Sequence, residues 1–423
     1  MARTLSSEVA AGAGRDDWKI ISLVGIAHAS SHFFQLVIPS LFVPLAAAFQ
    51  LDFARLGLLM SAFYVMSGVG QAASGFVVDR VGGHRVLWFG LGCFVLSALA
   101  LAVAPGYAML MVGAILGGLG NSVFHPADFS ILNLRVSHQR LGHAFSVHGL
   151  TGSLGWAAAP MFVAGLTVLA GWRVAALGVA ILVGAILLAT IIGRRLLDDR
   201  QVAMHHAQGE KSPTRRVPMT FAETIRTLMA SPALWGAFLF FAMTSVSLSA
   251  IQNYTMPILA QLYQMTEVLG SSALSSYMLA SAIGMFMGGF IANGNPHSER
   301  VVALAYATGG VVLVVLALGV LPSVMAFAGV ALAGWCTGIA GPSRDMLIRR
   351  VTPKGALGSV YGLVYSGMDT GAALAPLLFG VLLDMGMASG PWIGAGIALW
   401  TATVIATLIA QQARRNEMRT ASA

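Results

Sequence analysis

GAILGGLGNSVFHPADFSILNLRVSHQRLGHAFSVHGLTGSLGWAAAP, residues 113–160, decides how this 423-residue chain is organised, because the same plan recurs 216 positions later. An overlay without gaps places it on residues 329–376. The paired positions are Gly113 and Gly329, Gly118 and Gly334, Pro126 and Pro342, Gly142 and Gly358, Gly155 and Gly371, and Pro160 and Pro376. Each copy has two apolar spans joined by a short basic loop, a pattern typical of membrane helices connected by a cytoplasmic hairpin. The sequence therefore predicts two halves with one plan.

The composition excludes a water-soluble protein. Hydrophobic residues make up 57% of the chain and charged residues 9%, too few polar groups to cover a soluble surface. Cys93 and Cys336 lie inside apolar spans in different halves, so they support neither a disulfide framework nor a metal site. In a membrane protein the net charge of +8 does not indicate a nucleic-acid partner; its distribution matters instead. We therefore predict a lipid-bilayer protein with no nucleic-acid partner, no cofactor and no metal.

Apolar runs of membrane-spanning length, about 20 residues, recur along the chain. The predicted spans are residues 20–49, 56–78, 86–104, 107–134, 141–169 and 172–192, and then 232–262, 271–292, 301–320, 324–348, 357–383 and 392–410. The predicted domains are an N-terminal tail at 1–19, a six-helix bundle at 20–193, a linker at 194–218, a second six-helix bundle at 219–411 and a tail at 412–423. Residues 20–49 form too long an apolar run for a cleaved signal, so we expect no processing.

The distribution of Lys and Arg predicts the orientation. With the N-terminus inside, the cytoplasmic loops, linker and tails hold 21 of the 24 basic residues, while Arg55 and Arg173 lie outside and Arg344 lies within a span. Short loops rich in Lys and Arg stay cytoplasmic. The sequence thus predicts a multi-pass protein of a bacterial-type inner (plasma) membrane, with both termini cytoplasmic.

The segment GFVVDRVGGHR, residues 75–85, resembles the Gly-x-x-x-Asp-Arg-x-Gly loop of the major facilitator superfamily, and a degraded copy, GFIAN, begins 214 positions later at Gly289. The resemblance implies an all-α integral membrane protein with the major facilitator fold, in which 12 transmembrane helices form two pseudo-symmetric six-helix bundles. It also implies a monomer. In the family this loop latches the two halves on the cytoplasmic side. Because Gly83 occupies the usual basic position, we expect Asp79 to act with Arg80 or Arg85.

Within the superfamily, GNSVFHP at residues 120–126, together with His28 and the stretch 149–160, resembles the fosmidomycin-resistance branch. Two charged positions depart from that branch. Ala127 precedes Asp128 where an acid is expected, and Ser31 and His32 replace an Asn-Asp pair. The resemblance therefore implies export of a small anionic compound or antibiotic without naming the substrate.

Polar residues within the spans supply the candidate site, since an ionisable group in hydrocarbon costs at least about 2.5 kcal/mol. On predicted helix 1, His28, His32 and Gln35 share one face at i, i+4 and i+7. Helix 4 repeats that spacing with Asn121, His125 and Asp128. In the family, helices 1, 4, 7 and 10 line the central cavity. The alternative explanation for such residues is interhelical hydrogen bonding.

The second half supplies a different set. Gln252 and Asn253 lie on helix 7 beside Ser245 and Ser249, and the two serines are better explained as hydrogen-bonding links between helices. Arg344 lies on helix 10, next to Asp345, and Asp369 is a carboxylate near the centre of helix 11. His148 and Tyr365 belong to flanking helices. The alternative for Arg344 is a permanent salt bridge to Asp128 or Asp369.

These residues predict a secondary transporter working by alternating access, in which two bundles rock around a midplane site. The predicted substrate-binding residues are His28, His32, Gln35, Asn121, His125, Gln252, Asn253 and Arg344. The predicted proton-coupling residues are Asp369, His32 and His125, and the predicted gating residues are Asp79, Arg80, Arg85 and Asp128. No Gly-x-x-x-x-Gly-Lys motif is present, so the energy must come from an ion gradient or from the gradient of the substrate itself, and we favour protons.

We favour proton-coupled export of a small anionic compound. The alternatives are proton-coupled uptake of an organic acid and a membrane sensor that does not transport. A membrane-embedded enzyme is disfavoured because the histidines lack a motif such as His-Glu-x-x-His.

Overall fold

The computed structural model describes residues 2–199, 232–292, 297–351 and 357–421, and within them the regular structure is helical. Before residue 200 the helices are α1 (Ala2–Gln35), α2 (Val37–Ser40), α3 (Phe42–Phe49), α4 (Phe53–Val81), α5 (Gly83–Ala102), α6 (Tyr107–Asn121), α7 (Phe124–Arg135), α8 (Leu141–Ala170), α9 (Trp172–Ile192) and α10 (Arg194–Leu197). After residue 231 they are α11 (Pro232–Tyr263), α12 (Glu267–Ala292), α13 (Ser298–Ala317), α14 (Ser323–Val351), α15 (Leu357–Asp384) and α16 (Gly390–Ala421).

Some of the predicted features lie outside the described residues. The predicted linker is described only as far as residue 199. Residues 219–231, Asn293 of the second loop copy and residues 352–356 lie outside, as do the side chains of Asp345 and Tyr365.

Eleven crossings among the described residues are long and apolar enough to span a membrane, with α6 and α7 counted as one. The twelfth is the first predicted span, residues 20–49, where His28, His32 and Gln35 lower the hydropathy of α1. The all-α membrane fold with 12 transmembrane helices is thus confirmed. Large side chains on the outer faces, such as Ile181, Phe286 and Leu304, are more than 70% exposed, as expected for surfaces that face lipid.

Two predicted continuous helices are interrupted, and prolines explain both interruptions. The first predicted span is divided into α1, α2 and α3 by Leu36 and Leu41, with Pro39 and Pro44 just beyond each break. The fourth is divided into α6 and α7 at residues 122 and 123. Pro126 has no N–H to offer the Ser122 carbonyl, which instead accepts a hydrogen bond from Ser74 Oγ at 3.2 Å. The predictions of single unbroken helices were therefore wrong at these two points.

The predicted loop at residues 75–85 is helical almost throughout. The chain leaves the helical conformation only at Gly82, whose φ of 93° suits glycine. The segment at residues 75–85 is therefore the junction of two long helices, α4 and α5.

The described chain divides into two compact units. The first consists of Met1–Leu41 and Val65–Arg215, and the second of Phe42–Tyr64 and Arg216–Ala423. Equivalent helices pack in equivalent ways inside each unit: α1 on α8 and α11 on α15, α5 on α9 and α13 on α16, α5 on α6 and α13 on α14. The repeat in the sequence is therefore a repeat of helix packing.

The second unit includes residues 42–64, which the predicted bundles assigned to the first half. Asp384, at the end of α15, accepts hydrogen bonds from the backbone N–H groups of Phe53 and Ala54 at 2.8 and 2.7 Å. These are the first residues of α4, where a carboxylate satisfies exposed N–H groups and the helix dipole. Gly57 packs directly on the Pro376 carbonyl of α15. These contacts join the first half of α4 to the second unit.

Candidate functional site

Four histidines and one aspartate form a cluster inside the first unit. His28 and His32 come from α1, His125 and Asp128 from α7, and His148 from α8. Asp128 is fully buried, and its Oδ2 lies 3.0 Å from His28 Nδ1 and 3.1 Å from His148 Nε2. We name these five residues the histidine cluster. A buried carboxylate here is bonded to two imidazoles that approach it from two different helices.

The imidazole rings are packed closely. The rings of His28 and His148 stack with centroids 3.5 Å apart, while His32 and His125 lie 4.6 and 5.4 Å from His28. His32 and His125 are less buried than His28 and His148. Two polar atoms of the cluster, His32 Nδ1 and Asp128 Oδ1, are buried with no hydrogen-bond partner among the described residues. Buried polar atoms are normally satisfied, so these two call for an explanation.

Local sequence explains why the cluster forms. The spacing of four residues puts His28 and His32 on one face of α1. The break before α7 redirects the chain at the point where His125 begins its first turn. Gly152 and Gly155 let α8 approach α1: a Cβ on Gly155 would collide with the Ala29 carbonyl, and one on Gly152 would lie 3.0 Å from His28 Nε2. The close helix contact therefore depends on residues without side chains.

An amide network adjoins the cluster. Asn121 Oδ1 accepts hydrogen bonds from Ser31 Oγ at 2.9 Å and from Gln35 Nε2 at 3.1 Å, and its Nδ2 donates to Ser67 Oγ at 2.8 Å. Gln35 Oε1 in turn accepts from Trp156 Nε1 at 3.0 Å. The predicted residues of helices 1 and 4 are thus brought together in one polar region of the first unit.

The predicted charged residues of the second unit converge on one turn of α11. The Arg344 guanidinium of α14 lies over the Phe241 ring, 5.3 Å from its centroid. One turn further, Ser245 Oγ donates to the carbonyl of Met368 at 2.7 Å, and Met368 precedes Asp369 on α15. A Cβ on Gly371 would collide with the Ala242 carbonyl, so α15 lies directly against this turn. Arg344 and Asp369 therefore reach the same part of α11 from two helices.

The amides of the second unit are less completely bonded than those of the first. Gln252 Oε1 lies 3.5 Å from the Tyr64 hydroxyl, and Asn253 Nδ2 donates to the Ser249 carbonyl at 2.7 Å. Gln252 Nε2 and Asn253 Oδ1 are buried without a partner among the described residues. The half-buried Asp369 lies close enough to Tyr64 to interact with it electrostatically.

The predicted gating residues are separated. Asp79, Arg80 and Arg85 are exposed at the α4–α5 junction, and none of them forms an ion pair with another part of the described chain. Asp128, which was grouped with them, lies in the histidine cluster instead. The described partner of the junction is an acid that sequence reasoning missed. Asp199 accepts hydrogen bonds from Gly83 N and Ser130 Oγ at 2.7 and 2.9 Å.

Asp199 also bonds His84 Nδ1 at 3.1 Å. Burial alone would raise the pKa of Asp199, but its hydrogen bonds outweigh burial and lower the pKa below the ordinary carboxyl value. An ionised Asp199 thus fixes the first turn of α5 to the residues that follow α10.

The residues that sequence reasoning left out of the site are His148, Trp156, Ser67 and Tyr64. His148 was noted only as a residue of a flanking helix. The sequence offered a signal for two of them, because glycines indicate close helix contacts. Trp156 lies within the glycine-rich residues 149–160, and His148 directly precedes them. Ser67 and Tyr64 carry no comparable signal. Their roles depend on where α4 passes the other helices.

Three groups of side chains in the described chain bring ligand atoms within 4.8 Å of one another, close enough for a metal ion. They are His28, His32 and His125; His28, Asp128 and His148; and His84, Asp198 and Asp199. The first two share the histidine cluster, and the third lies at the junction of α4 and α5.

Twelve transmembrane helices in two repeated units, with polar residues buried in the helices, are an architecture found in membrane transporters. The sequence matches the Major Facilitator Superfamily over residues 24–323 and 248–422. The chain belongs to this superfamily, as the motif at residues 75–85 predicted. Its members carry small-molecule substrates and commonly work as monomers.

Individual relatives are more distant. The fosmidomycin resistance protein of Escherichia coli (strain K12) is 28% identical over 151 residues, which cover 36% of this chain and 37% of that protein. The hexuronate transporter of Bacillus subtilis (strain 168) is 24% identical over 362 residues, 82% of this chain and 83% of that protein. The match to the former thus spans little more than a third of that protein's length.

A solved structure shows the same fold. It is a bacterial homologue of the human lysosomal transporter Spinster, in an inward-facing and unoccupied conformation, with a TM-score of 0.70 and 15% identity. The match covers 96% of this chain and 98% of that one.

Proposed function

We propose that this transporter couples protons to the movement of a small anionic compound by alternating access, with export as the direction that the resemblance to the fosmidomycin-resistance branch favours. The observation that carries the proposal is the convergence of Arg344 and Asp369 on one turn of α11. A guanidinium remains charged at any physiological pH, so within a membrane span it requires an anion. Asp369 is a carboxylate that can be neutralised by a proton. The two residues therefore bring a permanent positive charge and a charge that a proton can neutralise to the same turn of α11.

The proposed cycle follows from this difference. When Asp369 holds a proton, it no longer competes for Arg344, and an anionic substrate binds there. When Asp369 releases the proton, its negative charge competes for Arg344 and the substrate leaves. Proton and anion thus favour each other's binding, which is a thermodynamic coupling between them, and a cycle in which both move together corresponds to uptake, the second candidate below. Gln252 and Asn253, with their unbonded amide atoms, would orient the substrate by hydrogen bonds.

The substitution Arg344→Lys tests the anion site, because it keeps the charge and loses the two-pronged donor geometry. Fosmidomycin, a hexuronate and simple carboxylates are first screened by thermal shift with the purified protein. We expect Arg344→Lys to weaken binding of the best anion at least about tenfold, or 1.4 kcal/mol. The matched control is Arg300→Lys, an exposed arginine at the start of α13. Unchanged affinity, or a hydrophobic cation as the best ligand, would refute the anion site.

Uptake of an organic acid is the second candidate. A hexuronate is an organic acid, and the relative named as a hexuronate transporter matches 82% of this chain. Direction is decided in proteoliposomes of known orientation under an imposed pH gradient. Accumulation of the substrate on the side from which protons flow indicates exchange and therefore export, whereas movement with the protons indicates uptake. Absence of any flux with a ligand that binds would favour the sensor.

The proposed orientation has both termini in the cytoplasm of an inner (plasma) membrane. Single cysteines replace Arg80, Arg140 or Arg55 in a background without Cys93 and Cys336. An impermeant thiol reagent should label only the Arg55 site in intact cells. Labelling of the Arg80 or Arg140 site from outside would reverse the topology.

A further inference from the structure

We propose that His28, His32 and His125 form a binding site for a divalent first-row transition-metal ion, with Asp128 and His148 as positioning residues. One ring nitrogen from each of the three histidines lies within 4.8 Å of the other two. Imidazole nitrogen is a preferred ligand for zinc, copper, nickel and iron, and bonds of about 2.0–2.1 Å to a shared tetrahedral zinc ion place such nitrogens about 3.3 Å apart. Small side-chain movements are therefore enough to close the site.

The hydrogen bonds of His28 support the assignment. Its Nδ1 is engaged by Asp128 Oδ2 at 3.0 Å, which leaves Nε2 as the nitrogen that faces the remaining rings. Metal-binding histidines almost always use their second nitrogen in this way, donating to a carboxylate that fixes the ring and increases its basicity. His148 bonds the same Asp128 oxygen and holds the carboxylate in place. The described structure thus contains both the ligand and the group that orients it.

Unsatisfied atoms point to the same place. His32 Nδ1 is buried and has no hydrogen-bond partner among the described residues. A Cβ on Gly152 would lie 3.0 Å from His28 Nε2 and 3.1 Å from His32 Nδ1, so the missing side chain keeps space open beside both nitrogens. A metal ion binds to the lone pair of an unprotonated ring nitrogen. A buried neutral imidazole such as His32 offers such a lone pair.

The other arrangement within the cluster, His28, Asp128 and His148, is less suited to be the inner ligand set. Its atoms are already bonded to one another at 3.0 and 3.1 Å, and it leaves the unpartnered His32 unexplained. Three neutral imidazoles with one carboxylate behind them also resemble the ligand set of an open zinc site, which retains a free position for water or an anion. The negative charge of Asp128 offsets part of the charge of the ion inside a low-dielectric unit.

The first measurement uses the unsubstituted, full-length protein in detergent. Co²⁺ is titrated in and the visible absorption is followed, and Zn²⁺ is then added as a competitor. We expect one Co²⁺ per chain with the intense bands of a four-coordinate ion, displaced by one equivalent of Zn²⁺. X-ray absorption of the zinc form should show three imidazole ligands. Absence of a saturable site, or a spectrum with oxygen ligands alone, would overturn the proposal without reference to any variant.

Substitutions then locate the site. His32→Gln and His125→Gln should each weaken Co²⁺ binding at least 100-fold, and Asp128→Asn should weaken it 10- to 100-fold because it acts through His28. His138→Gln, an exposed histidine, is the matched control and should bind normally. His84→Gln removes the third group of possible ligands, at the α4–α5 junction. Loss of binding in His84→Gln, or normal binding in both His32→Gln and His125→Gln, would place the ion elsewhere and refute the proposal.

Discussion

The two units pack equivalent helices in the same way but bury different polar groups. In the first unit a carboxylate, Asp128, is held by two imidazoles, and the amide of Asn121 has three partners. In the second unit Asp369 is only half-buried, and two amide atoms of Gln252 and Asn253 are without a partner in the described chain. A satisfied buried network rigidifies a structure, whereas unsatisfied groups are available to a ligand. The first unit also keeps two such atoms, His32 Nδ1 and Asp128 Oδ1, beside the proposed metal site. We therefore propose structural and metal-binding roles for the first unit and substrate binding for the second.

The largest expected effect is a loss of gradient-driven transport when Asp369, the acid of the second unit, is replaced. Asp369→Asn removes the carboxylate that we propose to exchange the proton, so uphill transport driven by a pH gradient should be abolished. Exchange of substrate across the membrane should continue, because Arg344 is retained. The measurement is flux in proteoliposomes with and without a pH gradient. The control is Asp16→Asn, which replaces an exposed acid of α1. Gradient-driven transport by Asp369→Asn would show that another group carries the proton.

The next effect is a difference in the stability lost when Asp128 or Asp369 is replaced by alanine. Asp128→Ala leaves His28 and His148 without their acceptor inside the first unit, and each unsatisfied buried group costs about 1–3 kcal/mol. We expect a loss of about 3 kcal/mol, measured as a lower unfolding temperature in detergent. Asp369→Ala, in the half-buried position, should cost less than 1 kcal/mol. Equal losses for both variants would contradict the distinction between the units.

A pair of equivalent glycines tests what the units share. Gly155 and Gly371 occupy matching positions in the repeat, and at each a Cβ would meet the carbonyl oxygen of the neighbouring helix, Ala29 or Ala242. Gly155→Ala and Gly371→Ala should each destabilise the protein by about 1–3 kcal/mol through overpacking. Gly149→Ala is the control, because nothing lies within 4 Å of its Cβ position and alanine is the better helix former. A tolerated Gly371→Ala would show that only the first unit needs this close approach.

The smallest effect concerns the α4–α5 junction, where Asp79, Arg80 and Arg85 are exposed. We propose that Asp79, with Arg80 or Arg85, controls the conformational equilibrium and not substrate binding. Asp79→Asn should slow turnover while substrate affinity stays within about threefold, a difference below 1 kcal/mol. Flux and binding are measured on the same preparation, with Asp16→Asn again as the control. Complete loss of binding would give the junction a direct role in the site.

Much of the fold and part of the site could be predicted from the sequence. The spacing of His28, His32 and Gln35 was sufficient to place them on one face, since helical periodicity is a local property. Asn121, His125 and Asp128 were correctly expected on one helix face, but the break at residues 122 and 123 was missed. Proline removes one hydrogen bond, and whether the helix then bends or breaks depends on which group donates to the freed carbonyl, here Ser74 Oγ.

Length, apolar periodicity and the repeat at 216 positions determined the class of protein, the number of crossings and the equivalence of the two halves, because the bilayer requires apolar helices of a fixed length. The tertiary structure alone decided which polar groups meet. It brought His148 to Asp128, placed Asp128 in the histidine cluster and placed Asp384 at the start of α4. Such contacts join residues separated by 20 to more than 300 positions, and they depend on helix packing that no local pattern encodes.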